Sequence, residues 1–133
     1  MHIAILEALK NSWNGNIPVG AVLVANNNII KIFNNKGKFQ HAEIFIVNFI
    51  YKNNLKNIDI YITMEPCIMC WFLLNNIKKY INQIIFGSWN LKYGAITHDV
   101  KWHQKKYIPY IGGIDKDIND FILKSYFSNK RHS

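Results

Sequence analysis

Apolar residues recur along the chain in two rhythms, and the switches between them outline the fold. Ile3, Ile5, Leu6 and Leu9, with Glu7 and Lys10 between them, have helical spacing and predict a first helix over about 2–12. Asn14-Gly15-Asn16 breaks it. Val19 to Val24 is an apolar, β-branched run, Asn26-Asn27-Asn28 is a turn signal, and Ile29 to Phe33 follows as a second strand, so a hairpin is expected. A polar loop from Asn34 to Gln40 feeds a helix over about His41 to Tyr51. Its Ile44, Phe45, Ile46, Val47, Phe49 and Ile50 predict burial on every side. Ile58 to Thr63 reads as strand, Cys67 to Lys79 as helix and Asn82 to Phe86 as strand. Gly87 to Ile96 is a loop rich in polar and aromatic residues, and His98 to Lys106 is basic, with room for a helical turn. Tyr107 to Ile111 offers a last strand that Pro109 confines to a sheet edge. Gly112-Gly113 breaks the chain before a terminal helix over about Asp115 to Asn129, with Asp115 as its cap. Alternation of helix and strand from residue 41 onward predicts an α/β fold with a partly parallel sheet under packed helices.

At 133 residues, with no repeat, linker or low-complexity tail, the expected organisation is a single domain over 1–133. Half the residues are hydrophobic and 14% are aromatic, which excludes a disordered chain. No apolar run approaches the roughly 18 residues of a membrane span, and no signal-peptide layout opens the chain, so a soluble, cytoplasmic protein without a membrane partner is expected. Both cysteines fall in one motif, which leaves no disulfide framework and agrees with a reducing compartment. Lys and Arg number 16 against 8 acidic residues, a net +8 that favours a polyanionic partner such as nucleic acid. The plainer account, a basic protein with no such partner, stands beside it on charge alone. The heavy use of Asn, Ile and Lys reads as nucleotide bias and carries no function.

Two short stretches carry the chemistry: His41-Ala42-Glu43 and Pro66-Cys67-Ile68-Met69-Cys70. Cys67 and Cys70, three apart, share one helical face about one turn from each other. Pro66 stands where a helix would begin, and the partial positive charge there favours thiolate over thiol. Two thiolates and one imidazole give a tetrahedral Zn²⁺ three ligands and an open fourth position, the arrangement of a catalytic zinc. Glu43, beside His41 and not needed as a ligand, is free to move protons. A lone C-x-x-C describes a redox pair or structural zinc equally well. What favours the catalytic zinc here is the upstream His41 and Glu43, the Pro before Cys67, and the lack of further Cys to close a zinc knuckle. Residues two apart on a helix point roughly opposite ways, so His41 and Glu43 meet at one point only at a helix mouth. Glu65 reads as a buried, hydrogen-bonded carboxylate near the metal. His98, His103 and His132 read as solvated surface residues. Lys78-Lys79 and Lys105-Lys106 suit either phosphate contact or an ordinary solvated face, and Phe72, Leu73, Leu74 and Ile77 suit either core or subunit interface.

The pattern H-x-E followed by P-C-x-x-C resembles the zinc-dependent nucleoside and nucleobase deaminases. Ile17 to Val24, Thr63 to Cys70 and Ile85 to Ala95 narrow the resemblance to the bacterial tRNA-specific adenosine deaminases, and it runs from near residue 3 into the terminal helix. The resemblance implies a three-layer αβα, cytidine-deaminase-like fold: a mixed five-stranded sheet with helices on both faces. It implies one Zn²⁺ per subunit on His41, Cys67 and Cys70. The implied reaction is hydrolytic deamination of adenosine to inosine at the wobble position of a tRNA anticodon stem-loop, by a zinc-activated water with Glu43 as proton shuttle. Asn35 and the backbone of Ala42 would bond the flipped purine, Asn90 and Lys92 would lie near the RNA backbone, and Tyr126 and Phe127 would flank the anticodon. A homodimer through the helices 41–51 and 67–79 is implied too. Three departures stand out. The interval from Asn35 to His41 is short, Trp71 and Phe72 replace small residues after the second Cys, and Asn90 replaces Asp, which keeps an acceptor but loses the charge and relaxes the expected discrimination against DNA. Two alternatives remain on the sequence: a deaminase of a free base or nucleotide, of guanine or cytosine type, and a non-catalytic zinc-containing RNA-binding module.

Overall fold

Gly20 opens the first strand, β1 (Gly20–Ala25), with the first helix, α1 (His2–Trp13), laid directly across it. A Cβ at Gly20 would collide with the Ala4 carbonyl and the Ala8 amide, so glycine is what lets this helix settle onto the sheet. A computed structural model describes residues 1–37, 40–99 and 106–131, with Lys130 and Arg131 by backbone alone. Asn26 and Asn27, both at positive φ (52° and 63°), turn the chain into β2 (Asn28–Asn34), the twist a two-residue hairpin requires.

After the hairpin come α2 (Ala42–Lys52), β3 (Ile58–Met64), α3 (Ile68–Asn76), a 3₁₀ turn over Lys78–Tyr80, β4 (Ile81–Ser88), β5 (Tyr110–Ile111) and α4 (Lys116–Arg131). The strands form one five-stranded sheet in the order β2-β1-β3-β4-β5. β1 is antiparallel to β2 and β3, whereas β3, β4 and β5 run parallel, so the sheet is mixed as expected. Ala21, Leu23, Ile60, Ile62, Ile84 and Phe86 join Ala42, Ile46 and Ile50 of α2 and Trp71 and Leu74 of α3 in one buried cluster. On the other face, α1 packs at Gly20 and α4 packs at Gly87, where the Asn119 side chain occupies the space a Cβ would need. This gives the three-layer αβα arrangement. Among the described residues, no helix is long and apolar enough to cross a membrane.

Three elements depart from the sequence expectations. α2 is not buried all round: Ala42, Glu43, Ile46 and Ile50 are covered, while Asn48 and Tyr51 face solvent and Ile44, Phe45, Val47 and Phe49 are half-buried. Only one helical stripe can meet the sheet, and the rest of the apolar surface is left toward the outside. α3 ends at Asn76, short of Lys79, because its last turn tightens. Asn75 Nδ2 donates to the Trp71 carbonyl, the Ile77 N–H reaches back only to Leu74, and 3₁₀ geometry follows. β5 is two residues long at the sheet edge; Pro109 before it has no N–H, but its carbonyl accepts the Ile84 N–H at 2.9 Å. His103, Lys105 and His132 lie outside the described residues. His98 is exposed, and its Nε2 bonds the Leu91 carbonyl at 2.9 Å.

Candidate active site

His41 is the N-cap of α2 and Cys67 is the N-cap of α3, both with extended backbone, so two helix mouths converge where β3 and β4 end. Pro66 lies one residue ahead of the cap rather than at the first helical position. The shift places Cys67 at the mouth and Cys70 one turn inside, where it is fully buried. His41 Nδ1 stands 3.7 Å from Cys67 Sγ and 3.5 Å from Cys70 Sγ, and the three ligand atoms all lie within 4.8 Å of one another. A tetrahedral zinc with Zn–S near 2.3 Å and Zn–N near 2.05 Å sets its sulfur and nitrogen ligands about 3.5–3.6 Å apart. The donor set fits zinc in kind and in spacing.

The charges at this mouth depend on one another. The Cys67 thiol is lowered to about 4, chiefly by the hydrogen bond from Cys70 and, against burial, by the His41 ring. Cys70 is pushed far up by that same bond to the Cys67 thiolate, by burial and by Glu43. His41 is raised, mainly by its bond to Cys67. Without a cation the cluster therefore holds one thiolate and one thiol, and taking up a metal expels protons. Glu43, 4% exposed, is raised to about 7 by burial, against the partial relief of its backbone hydrogen bond. It sits in the first turn of α2, two residues from His41, and the helix mouth brings both to the same cavity.

That cavity encloses about 480 Å³. His41, Glu43 and Cys67 line it with Asn35; Ile17, Val19 and Met64 supply apolar walls; Leu91, Lys92, Tyr93, Leu123 and Phe127 form the rest with Asn90 and Glu65. Asn35 is buried, and its Oδ1 accepts the Ala42 N–H at 2.8 Å, so two groups expected to meet a purine separately bond to each other.

Glu65, 2% exposed, anchors the loop on the far side. Its carboxylate accepts the N–H groups of Asn90 (2.9 Å), Ile96 (2.8 Å) and Thr97 (2.8 Å), together with the Thr97 hydroxyl. The buried hydrogen-bonding role expected from the sequence is what the structure shows. Gly94 presses so closely on this carboxylate that a Cβ would collide with it. The same loop is stitched to the cysteine turn, with the Ile68 N–H on the Tyr93 carbonyl at 3.0 Å and the Ala95 N–H on the Pro66 carbonyl at 3.2 Å.

Of the expected substrate residues, Asn35, Asn90, Lys92 and Phe127 reach the cavity. Asn90 is also a turn cap: its Oδ1 accepts the Tyr93 N–H at 3.1 Å. Lys92 is exposed at the rim, its Nζ 5.3 Å from the centre of the Tyr93 ring. Tyr126 is turned elsewhere. Its hydroxyl donates to the Gly15 carbonyl at 3.1 Å and its side chain lines a groove between α1 and α4, because adjacent residues on a helix point about 100° apart. Its ring still packs on Phe127 at 5.2 Å. Gly94 and Thr97, set in a polar loop, and Asn11 carry no signal in the sequence for the parts they play here.

Residues 1–88 match the cytidine and deoxycytidylate deaminase zinc-binding region. A tRNA-specific adenosine deaminase of Rickettsia bellii is 31% identical over 144 aligned positions, covering 94% of this chain and 98% of the relative. The tRNA-specific adenosine deaminase of Bacillus subtilis is 32% identical over 104 positions, 71% of this chain and 63% of the relative. A solved structure from studies of A-to-I editing by tRNA:A34 deaminases at the wobble position of transfer RNA superposes with a TM-score of 0.77. It is 25% identical, covering 92% of this chain and 97% of that one. A guanine deaminase of Nitrosomonas europaea, at TM-score 0.73 and 12% identity, shares the fold.

Proposed function

Because the chain belongs to the zinc-dependent cytidine and deoxycytidylate deaminase family, and within it to the tRNA-specific adenosine deaminases, we propose that it converts adenosine to inosine at the wobble position of a tRNA anticodon. One observation supports the chemistry above the rest. A three-donor cluster, His41, Cys67 and Cys70, shares a cavity with a buried carboxylate, Glu43, that is not one of the three. A closed structural site would have spent its fourth position on a side chain.

His41, Cys67 and Cys70 would hold Zn²⁺, which supplies Lewis acidity that brings the ionisation of water near neutrality. Glu43 then takes a proton from the water attacking C6 and delivers it to purine N1; as the C6–N bond breaks it carries the second proton, from the new C6 hydroxyl, to the departing amine, which leaves as ammonia. A carboxyl held at about 7 is suited to both directions of transfer. Asn35, its Oδ1 committed to Ala42, turns its amide N–H₂ to an acceptor of the purine. Ile17, Val19 and Met64 exclude water from the base. Lys92 at the rim, within a chain of net charge +8, meets the phosphates of the anticodon loop, and Phe127 stacks beside a neighbouring base. A single-stranded loop makes extruding the target nucleotide cheaper than from a duplex. Subunits pair through the outer surfaces of α2 and α3, where Met69 is 50% exposed and Tyr51 72%. The protein works in the cytoplasm, where its tRNA is.

The test is to incubate zinc-loaded protein separately with an anticodon hairpin bearing A at the wobble position, with free adenosine, with guanine and with cytidine. Deamination of the hairpin alone is expected. Turnover of a free base with none in the hairpin would make this a free-base deaminase on the same fold, and no turnover of any substrate, with zinc bound, would favour a non-catalytic RNA-binding module.

A further inference from the structure

α1 places Asn11 in the interior, 3% exposed, outside the cavity yet one hydrogen bond from its wall. The side-chain amide donates both hydrogens to backbone carbonyls, Ile17 O at 3.0 Å and Asn35 O at 2.9 Å. Its Oδ1 accepts from Asn16 Nδ2 at 3.1 Å, and Asn16 Oδ1 accepts the Gly37 N–H at 3.2 Å. Ile17 and Asn35 both line the cavity, and Asn35 Oδ1 holds the N–H of Ala42, the residue between His41 and Glu43. A continuous run of hydrogen bonds therefore leads from α1 through Asn35 to the mouth of α2.

We propose that Asn11, braced by Asn16, is a positioning residue that fixes Asn35 in the wall of the base-binding cavity; what Asn35 binds there rests on the function proposed above. The chemistry of the site demands an amide. Two partners are carbonyl acceptors and the third is a donor, and among side chains of this size only Asn presents two N–H donors with an acceptor. Asp would set a carboxylate against two carbonyls, and an aliphatic residue would leave the buried Asn35 carbonyl without the donor it has here. The segment that begins at Asn35 has little backbone pairing of its own to replace these bonds. Among the described residues it makes the single bridge Lys36–Gln40, with the Lys36 N–H on the Gln40 carbonyl at 2.7 Å, and the weaker Asn35 N–H to Val19 O at 3.4 Å. Pro18, between the two cavity residues Ile17 and Val19, contributes no N–H at all. Side-chain amides therefore hold in place a wall that a longer loop would have to hold by its own packing.

The experiment uses zinc-loaded protein and two readouts: amide hydrogen exchange at Ala42, which needs no substrate, and kcat/KM on the wobble-adenosine hairpin. In Asn11→Ala and in Asn16→Ala, exchange at Ala42 is expected to rise about tenfold, the protection that one hydrogen bond confers, while Ile60 and Ile84 in the central strands stay unchanged. kcat/KM should fall by about 10–10²-fold, as for a misplaced binding group. In an Asn35→Ala background, Asn11→Ala should then cost little more, since it acts through Asn35. Unchanged exchange at Ala42, or acceleration spread evenly over Ile60 and Ile84, would overturn the proposal and leave Asn11 an ordinary stabilising residue. Asn16, only half-buried, serves if Asn11→Ala does not fold. A wild type inactive on the hairpin would count against the proposed function alone, and exchange at Ala42 would still decide the bracing.

Discussion

Asn35 Oδ1 accepts the Ala42 N–H at 2.8 Å, which makes the cavity wall at Asn35 and the helix that carries His41 and Glu43 one hydrogen-bonded unit. Asn35→Ala leaves a buried helix N–H without its acceptor and should cost about 1–3 kcal/mol in urea unfolding, besides losing activity. Asn35→Asp keeps the acceptor, so stability should largely return, while the N–H₂ donor is lost and activity stays low. Recovery of activity in Asn35→Asp would show that the donor has no part in binding the base.

Gly94→Ala should act through Glu65. A methyl group at this position drives against the carboxylate that holds Asn90, Ile96 and Thr97. The expected loss is about 1–3 kcal/mol, the usual cost of overpacking, together with weaker zinc retention because the loop is stitched to Cys67 and Ile68. Zinc affinity from competition with a chelator, measured beside the urea midpoint, checks both halves. An unchanged zinc affinity would detach this loop from the metal site.

The three-donor cluster and the buried carboxylate beside it were legible because metal chemistry restricts residue type and spacing: few sequences set His41 and Glu43 upstream of Cys67 and Cys70 in this pattern. The hairpin, the parallel crossovers and the edge placement of β5 followed from Asn26-Asn27, from helix–strand alternation and from Pro109. What the pattern missed depends on geometry between elements. Counting apolar residues in α2 could not say that only one stripe meets the sheet. Pro66 marked a helix start correctly to within a residue or two, but which of Pro66 and Cys67 is the cap is decided by backbone angles. Tyr126 and Phe127 are adjacent in sequence and serve different surfaces. Asn11 is one asparagine among many in this chain, and nothing local separates it from the exposed ones.

Protonation of Glu43 gives a pH test on the metal-free protein. Its carboxyl is raised from 4.5 to about 7 in the folded state, so the folded chain binds the proton more tightly than the unfolded chain. The stabilisation from that proton is complete below pH 4.5 and is lost as pH rises through about 7, a deficit on the order of 3 kcal/mol at pH 8. Glu43→Gln carries no such charge. The metal-free variant should therefore melt above the wild type at pH 8, with the gap closing toward pH 4. Equal melting temperatures at pH 8 would mean that Glu43 is not held in a desolvated site.

Affinity for the anticodon hairpin should weaken steeply with salt, as release of counterions from phosphates requires. Lys92→Ala should reduce the slope of log K against log salt by about one unit, with little change in stability, since Lys92 is exposed. A flat dependence in the wild type would argue against a polyanionic substrate.

The most direct measurement is the nucleoside content at position 34 of a tRNA anticodon arm after incubation with zinc-loaded wild type and with Glu43→Ala, each assayed for bound metal. The wild type should carry about one zinc per chain and convert A34 to inosine; Glu43→Ala should keep its zinc and bind the arm, with conversion slowed by at least ~10²–10⁴-fold. A34 left intact by the zinc-loaded wild type, or undiminished conversion by Glu43→Ala, would contradict the account.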